Sequence, residues 1–245
     1  MNKVVGSIRE AISLSGLRDG MTVSFHHHLR NGDYVLNLVM EEIAAMGLRG
    51  LTVNASALFD VHAPLLRHIE GGVVTGVAAS YISGGLGRAF SRGILQGEVE
   101  FRTHGGRPKA IAQGVTPVDV AFIAAPAADA MGNCTGKFGP SACGSLGYAF
   151  ADARYAKKVV VITDHLAPYP LQGWSISEDQ VDYVVAVDAI GDPKGIVSGT
   201  TKMTRDPVGL LMASYAARVI AASGLLQEGF SFLTGARRGS LPPPA

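Results

Sequence analysis

Short apolar runs alternate with amphipathic stretches along most of this chain. The runs Met21–Phe25, Leu51–Asn54, Val73–Val77, Val99–Arg102, Val120–Ala124, Val159–Thr163 and Tyr183–Val187 are rich in β-branched and aromatic residues and read as strands. Between them, Tyr34–Met46, Pro64–Ile69, Gly87–Ile94, Lys109–Gln113 and Ala151–Ala156 read as helices. A last helix is predicted over Pro207–Ser223, with Asp206 as N-cap, Pro207 at its first position and Gly224 as its stop. Strands alternating with helices predict an α/β fold, a mainly parallel sheet covered on both faces. The last stretch, Gly235 to Ala245, has no periodicity and three consecutive prolines, and reads as a disordered tail or an abrupt truncation.

Composition narrows the picture. The 245 residues are 47% hydrophobic and 17% charged, with 31 glycines, which describes a well-buried chain with many tight turns. The length allows one large domain or two small ones. A net charge of +1 with no basic stripe argues against nucleic acid as a partner. The longest apolar stretch, Val118 to Met131, is interrupted by Asp119, Pro126 and Asp129, so no membrane span is expected. Residues Met1 to Ser7 lack the apolar core of a signal peptide, and Cys134 and Cys143 do not suggest a disulfide framework. A cytoplasmic location is the expectation.

The chemistry concentrates in Ser24 to Asp33, where a short buried strand gives way to a helix. Three histidines, Arg30 and Asn31 stand together at what should be the carboxyl end of a parallel strand, the usual ligand edge of such sheets. If the strand continues through them, His26 and His28 share a face and His27 points away. One reading is a metal site built on His26 and His28, with Asp33 nearby; no third ligand has an obvious spacing, and no metal is expected. A second reading is a carboxylate-binding site, with the imidazoles and Arg30 holding an anion while Asn31 and backbone N–H groups hold an oxyanion. A third is that one or two of the histidines satisfy buried backbone groups.

Two further turns share a design. Tyr81 to Arg88 carries Gly84, Gly85 and Gly87 where a strand enters a helix, a place where backbone N–H groups can approach an anion. It lacks the Lys-Ser/Thr ending of a phosphate-binding P-loop and the full spacing of a dinucleotide fingerprint. Phe101 to Pro108 ends a strand with His104, Gly105, Gly106 and Arg107; Arg107 would pair with a phosphate or carboxylate, or else be a solvated surface arginine. The glycine-rich loop Asp129 to Ser145 holds both cysteines, without zinc spacing and without a neighbouring base, so a cysteine nucleophile is not expected. Asp192 reads as a turn former, and no Gly-x-Ser-x-Gly elbow accompanies the serines.

Taken together, SFHHHLRNGDYVLN (24–37), YISGGLGRA (81–89), FRTHGGR (101–107), VDVAFIAAP (118–126), SACGSLGYAFADA (141–153), VDAIGDPKGIVSGTT (187–201) and TRDPVGLL (204–211) resemble the citrate lyase alpha-subunit family of the CoA-transferase superfamily. The resemblance runs from about residue 4 to residue 235, and the His-His-His-Leu-Arg-Asn-Gly run is its most specific part. It implies a three-layer α/β/α, CoA-transferase-like unit, used twice in the family. Here it would form one N-terminal domain over residues 1–235, followed by an atypical tail over 236–245. The second half of the alpha subunit would be a partner, because the family's active site lies between the halves.

The resemblance implies acyl exchange on a thioester, with citrate replacing acetate. The thiol belongs to a CoA-like prosthetic group, phosphoribosyl-dephospho-CoA, on an acyl-carrier subunit, with acetyl-CoA as its stand-in. A citryl lyase (beta) subunit would act next, within an oligomeric complex. On this reading His27, Asn31 and Gly32 are the expected catalytic positions, and His26, His28 and Arg30 would bind the acid. Gly84, Gly85, Gly87, His104, Gly105, Gly106 and Arg107 would hold the pantetheine or phosphate end of the carrier. Competing readings are a non-catalytic binding or assembly fragment and a CoA-transferase or thioester hydrolase for another acid. A sugar-phosphate isomerase is disfavoured, because no acidic base stands beside a phosphate loop.

Overall fold

The computed structural model describes residues 2–26, 28–196 and 205–230. The chain forms two compact units, residues 1–196 and 197–245. The first contains strands β1 (Val4–Val5), β2 (Thr22–Phe25), β3 (Leu51–Ala55), β4 (Val74–Ala79), β5 (Val99–Phe101), β6 (Val120–Ala124), β7 (Ala127–Asp129), β8 (Cys134–Thr135), β9 (Lys158–Thr163), β10 (Leu166–Ala167) and β11 (Tyr183–Ala186). Its helices are α1 (Ile8–Ser15), α2 (Val35–Ala45), α3 (Leu65–Glu70), α4 (Gly84–Ser91), α5 (Gly106–Ala112), α6 (Ala149–Tyr155) and α7 (Pro193–Ile196).

Eight strands form one sheet in the order β1-β11-β9-β6-β2-β3-β4-β5, and every neighbouring pair is parallel. A small second sheet, β10-β7-β8, lies beside it. The strand residues alternate between two cores. Val120, Phe122 and Ala124 of β6 join one with α1 to α4, and Ala121 and Ile123 join the other with α5 and α6. Buried strands with apolar residues on both faces are what a covered parallel sheet requires, and the three-layer α/β/α arrangement expected from the sequence is the one found. Phe25 and Phe122 stack at 5.7 Å between the two central strands.

The chain runs outward from β2 through β3, β4 and β5. It then returns to the other side of β2 as β6 and runs outward again through β9 and β11. The order therefore reverses between β2 and β6, and a parallel sheet opens its ligand crevice at such a switch point. Because the strands are parallel, the turns after β2, β4 and β5 that the sequence singled out all leave the same edge.

Helix α1 was missed in the sequence, although its signals were there. Ser7 accepts from the Glu10 N–H, the Glu10 carboxylate accepts from the Gly6 N–H, and Gly16 closes the helix in the left-handed region. Its eight residues left too short an apolar repeat to notice. Helices α4 and α5 also begin earlier than expected, at Gly84 and Gly106 instead of Gly87 and Lys109. In each case a side chain satisfies a first-turn amide: Asp60 accepts from Gly85 and Thr103 from Gly106.

The second unit holds α8 (Pro207–Ala222), with the Asp206 carboxylate accepting from the Gly209 N–H at 2.7 Å, as the predicted N-cap should. The first unit ends at Ile196. The expected tail over 236–245 lies outside the described residues. Among the described residues no helix is long and apolar enough to cross a membrane.

Candidate functional site

Strand β2 delivers His26 to the switch point, and β6 ends there at Ala124. The His26 and His28 rings stack at 4.0 Å and share a 2.5 Å hydrogen bond between their Nδ1 atoms. The Ala124 N–H donates to His26 Nε2 at 3.2 Å, and His28 Nε2 lies 2.7 Å from the Ala124 carbonyl oxygen. This closed ring fixes the protons. His26 Nε2 must accept, so its Nδ1 carries the hydrogen and donates to His28 Nδ1, whose Nε2–H then donates to Ala124. Both imidazoles are neutral, and burial holds His28 below the usual histidine pKa.

This geometry moves His26 and His28 from the substrate to the scaffold. All four ring nitrogens are committed, so neither residue offers a charge or a donor to an acid. Of the three readings of the histidines, satisfaction of buried backbone describes these two. His27 lies outside the described residues.

The turn Arg30–Gly32 follows. Arg30 adopts φ +53°, the left-handed region that a side chain enters at a cost of roughly 1–2 kcal/mol. Arg30 is half-buried and Asn31 exposed, and among the described residues neither side chain has a hydrogen-bond or ion-pair partner. Gly32 is buried, and its N–H donates to the Leu29 carbonyl at 2.9 Å. That amide is spent inside the turn, so Gly32 serves as a close-packing residue and cannot donate to a reacting oxygen in this geometry.

Three attachments hold the turn. The Asp192 N–H donates to the Gly32 carbonyl at 2.8 Å, and the Tyr34 N–H donates to the Ile190 carbonyl at 3.0 Å. Asp33 is buried; one carboxylate oxygen accepts from the Val35 N–H at 2.9 Å and the other from His62 Nε2 at 3.0 Å.

The glycine turns differ from expectation. The Gly85 N–H donates to the Asp60 carboxylate at 2.9 Å, so the protein's own anion occupies this helix start. Gly84 sits at φ +61°, where a Cβ would overlap the same carboxylate. Arg107 is not a surface residue, and the carboxylate it pairs with is the protein's own. Arg107 is 2% exposed. Its guanidinium makes a forked pair with Asp152 at 2.8 and 3.1 Å, and also donates to Asn54 Oδ1 and to the Phe25 and Asn54 carbonyls. His104 and Gly105 are exposed, and His104 meets Tyr148 edge-on. Of the turns expected to hold the pantetheine or phosphate end of the carrier, the Gly85 and Gly106 amides are taken by Asp60 and Thr103, and the Arg107 guanidinium by Asp152.

Burial pushes the Cys143 thiol up to about 11 and raises Cys134 further, so neither is a thiolate near neutrality. Sequence reasoning missed His62, Asp60, Asn54 and Asp152. Each acts across at least 25 residues of chain, and no local spacing announces such a pairing.

A family model described as citrate lyase, alpha subunit, matches residues 1–242. The chain belongs to that family. A citrate lyase alpha chain from Haemophilus influenzae is 48% identical over 239 residues, covering 98% of this chain and 48% of the relative. A crystal structure from Streptococcus mutans, described as an alpha subunit of citrate lyase in complex with citrate, is 50% identical with a TM-score of 0.87, covering 98% of this chain and 47% of that one. This chain thus spans about half the length of the relatives it matches. Glutaconate coenzyme A-transferase from Acidaminococcus fermentans shares the fold at 18% identity and a TM-score of 0.56, covering 80% of this chain and 77% of that one. The relatives are named as alpha chains, which places the family in a multi-chain enzyme.

Proposed function

We propose that this chain carries the acid-binding half of a citrate CoA-transferase. It would exchange acetate for citrate on a thioester, giving citryl thioester and acetate. The observation that carries this reading is the Arg30–Asn31 turn. It presents a guanidinium and an amide, uncommitted among the described residues, at the switch point of the sheet, in a family whose Streptococcus mutans relative was solved with citrate.

In the reaction a citrate carboxylate oxygen attacks the acetyl thioester carbonyl. The resulting tetrahedral oxyanion collapses with cleavage of the C–S bond, leaving a mixed anhydride and a thiolate. The thiolate then attacks the citryl carbonyl and acetate departs. No general base is needed, because the attacking carboxylate is already ionised. Arg30 pairs with a carboxylate of the acid in a forked geometry. Asn31 donates to the developing oxyanion, a contact worth about 3–4 kcal/mol in comparable sites. With His26 and His28 neutral, Arg30 is the cation the turn itself contributes.

The thioester substrate is proposed to be the CoA-like group of an acyl-carrier subunit, with acetyl-CoA as its stand-in. A citryl lyase subunit and the second half of the alpha subunit complete the assembly. The test is citrate-dependent release of labelled acetate from acetyl-CoA, with the chain alone and with the second half of a relative supplied. Release only when citrate is present supports the reading. Citrate binding with no release in either case favours a non-catalytic binding fragment. Release with other acids but not citrate would make it a transferase of different selectivity.

A further inference from the structure

We propose that His62 is a positioning residue for the acid-binding turn, holding Arg30–Gly32 in register through the buried carboxylate of Asp33. The proposal rests on the transferase reading above, since it concerns the same turn. His62 touches no reacting atom in it; its action is on Asp33 alone.

The local chemistry permits a single arrangement. The Phe59 N–H donates to His62 Nδ1 at 3.0 Å, so that nitrogen carries no proton. The neutral ring therefore bears its hydrogen on Nε2 and donates it to Asp33 Oδ2. His62 and Asp33 are 1% and 3% exposed. A carboxylate buried this deeply must keep its donors, because an uncompensated charge away from water is strongly destabilising. Asp33 Oδ1 already takes the Val35 N–H, which starts α2, and Oδ2 depends on His62.

Arg30 makes the anchoring necessary. A non-glycine residue in the left-handed region persists only where its surroundings over-determine it. The turn is closed by the Asp33 N–H donating to the Arg30 carbonyl at 3.3 Å, a long and weak bond. If Asp33 loses His62, its carboxylate must rotate toward water. That rotation slackens the residue that closes the Arg30 turn. The same connection ties the neighbouring edge as well, because Asp60 accepts from Gly85 at the start of α4. One short turn, Asp60–His62, thus braces the connections that follow β2 and β4.

The experiment compares the full chain with His62→Ala and His62→Gln. In glutamine the amide nitrogen is as many bonds from Cβ as His Nε2, so it can restore the donor to Asp33 while losing the acceptor for Phe59. Citrate and acetyl-CoA affinities are measured by calorimetry, and backbone amide shifts of residues 30–33 are recorded by NMR without ligand. A small displacement of a binding group is costly. Citrate binding should weaken roughly tenfold in His62→Ala with acetyl-CoA affinity unchanged, the amides of Arg30 and Asn31 should shift, and His62→Gln should recover most of both effects. Equal loss of both ligands, or no recovery with glutamine, would reduce His62 to a general fold contact and overturn the proposal. Unchanged amide shifts at 30–33 in His62→Ala would overturn it whether or not citrate binds. If the wild-type chain binds no citrate, the functional reading fails, and the shifts alone decide the positioning role.

Discussion

Gly32 and Asp192 meet backbone to backbone: the Asp192 amide donates to the Gly32 carbonyl at 2.8 Å, and a Cβ on Gly32 would overlap the Asp192 carbonyl. Gly195 lies against the same residue, and a Cβ there would fall 2.7 Å from the Gly32 Cα. The Gly-Asp-Pro-Lys-Gly stretch is therefore the wall against which the Arg30–Gly32 turn is pressed. Gly32→Ala should destabilise the chain by roughly 1–3 kcal/mol through overpacking and weaken citrate binding. Gly105→Ala, with open space around it, should stay within about 0.5 kcal/mol of wild type. Urea unfolding of the two variants decides this, and equal stability would contradict the close approach.

Arg107 should behave as a structural residue. Its forked pair with Asp152 also reaches the Phe25 carbonyl at the end of β2. Removing one partner of a buried pair costs about 3–5 kcal/mol. Arg107→Ala is expected to lose that much in denaturant unfolding. Arg107→Lys should recover only part, since an ammonium cannot fork to Asp152 and still reach both carbonyls. A stable Arg107→Ala variant with impaired acetyl-CoA binding would instead restore Arg107 to a phosphate-binding role.

Arg30 separates stability from binding. Arg30→Gly relieves about 1–2 kcal/mol of left-handed strain, offset by roughly 0.5–1 kcal/mol of added freedom in the unfolded chain. Its unfolding midpoint should equal or exceed that of wild type while citrate affinity falls. Arg30→Ala keeps the strain and loses the guanidinium, so citrate binding should fall more than acetyl-CoA binding. Equal loss for both ligands would count against its role.

The histidine ring predicts a pH dependence of stability. His28 is held below its ordinary pKa of 6.5 by burial, and so is His68, where Arg67 adds to the burial effect. Between the lowered folded value and 6.5 the unfolded chain binds more protons, so stability rises with pH there. The contribution is complete above the unfolded pKa and is lost as pH falls toward the folded one. Unfolding midpoints should drop from pH 7.5 to pH 5.5, and His28→Asn should flatten part of that slope. A slope unchanged in His28→Asn would place the titration elsewhere.

The cysteines should be chemically quiet. With the Cys143 thiol pushed up to about 11, alkylation by iodoacetamide at pH 8 should be much slower than for a free thiol, and Cys134 should react only on unfolding. Intact-mass time courses with and without urea give the comparison. Cys143→Ser should keep citrate binding; rapid labelling with loss of binding would put a thiol in the site.

Much of this could be read from the chain because the relevant physics is local. Strands such as Val120–Ala124 and Val159–Thr163 lie where the apolar runs placed them, since a doubly covered strand must be apolar throughout. Helix α8 has the expected Asp206 cap because an N-cap acts within one turn. The loop from His26 to Asp33 stood out by its residue types, and it lies at the carboxyl edge that a parallel sheet reserves for ligands.

Tertiary structure decided what those residue types do. Strand order alone created the switch point between β2 and β6. Only there could His26 and His28 find both backbone groups of Ala124 and be consumed as neutral scaffold. Arg107 has the composition of an anion site, yet Asp152 reaches it from 45 residues away and turns it into a buried brace. His62 gave no sign of its tie to Asp33. The chain by itself determined the sheet, its covered faces and the place of the turn, because apolar period and caps act over a few residues. Which side chains stay free for a ligand depended on partners brought together from distant segments, and only the folded arrangement of strands supplies those.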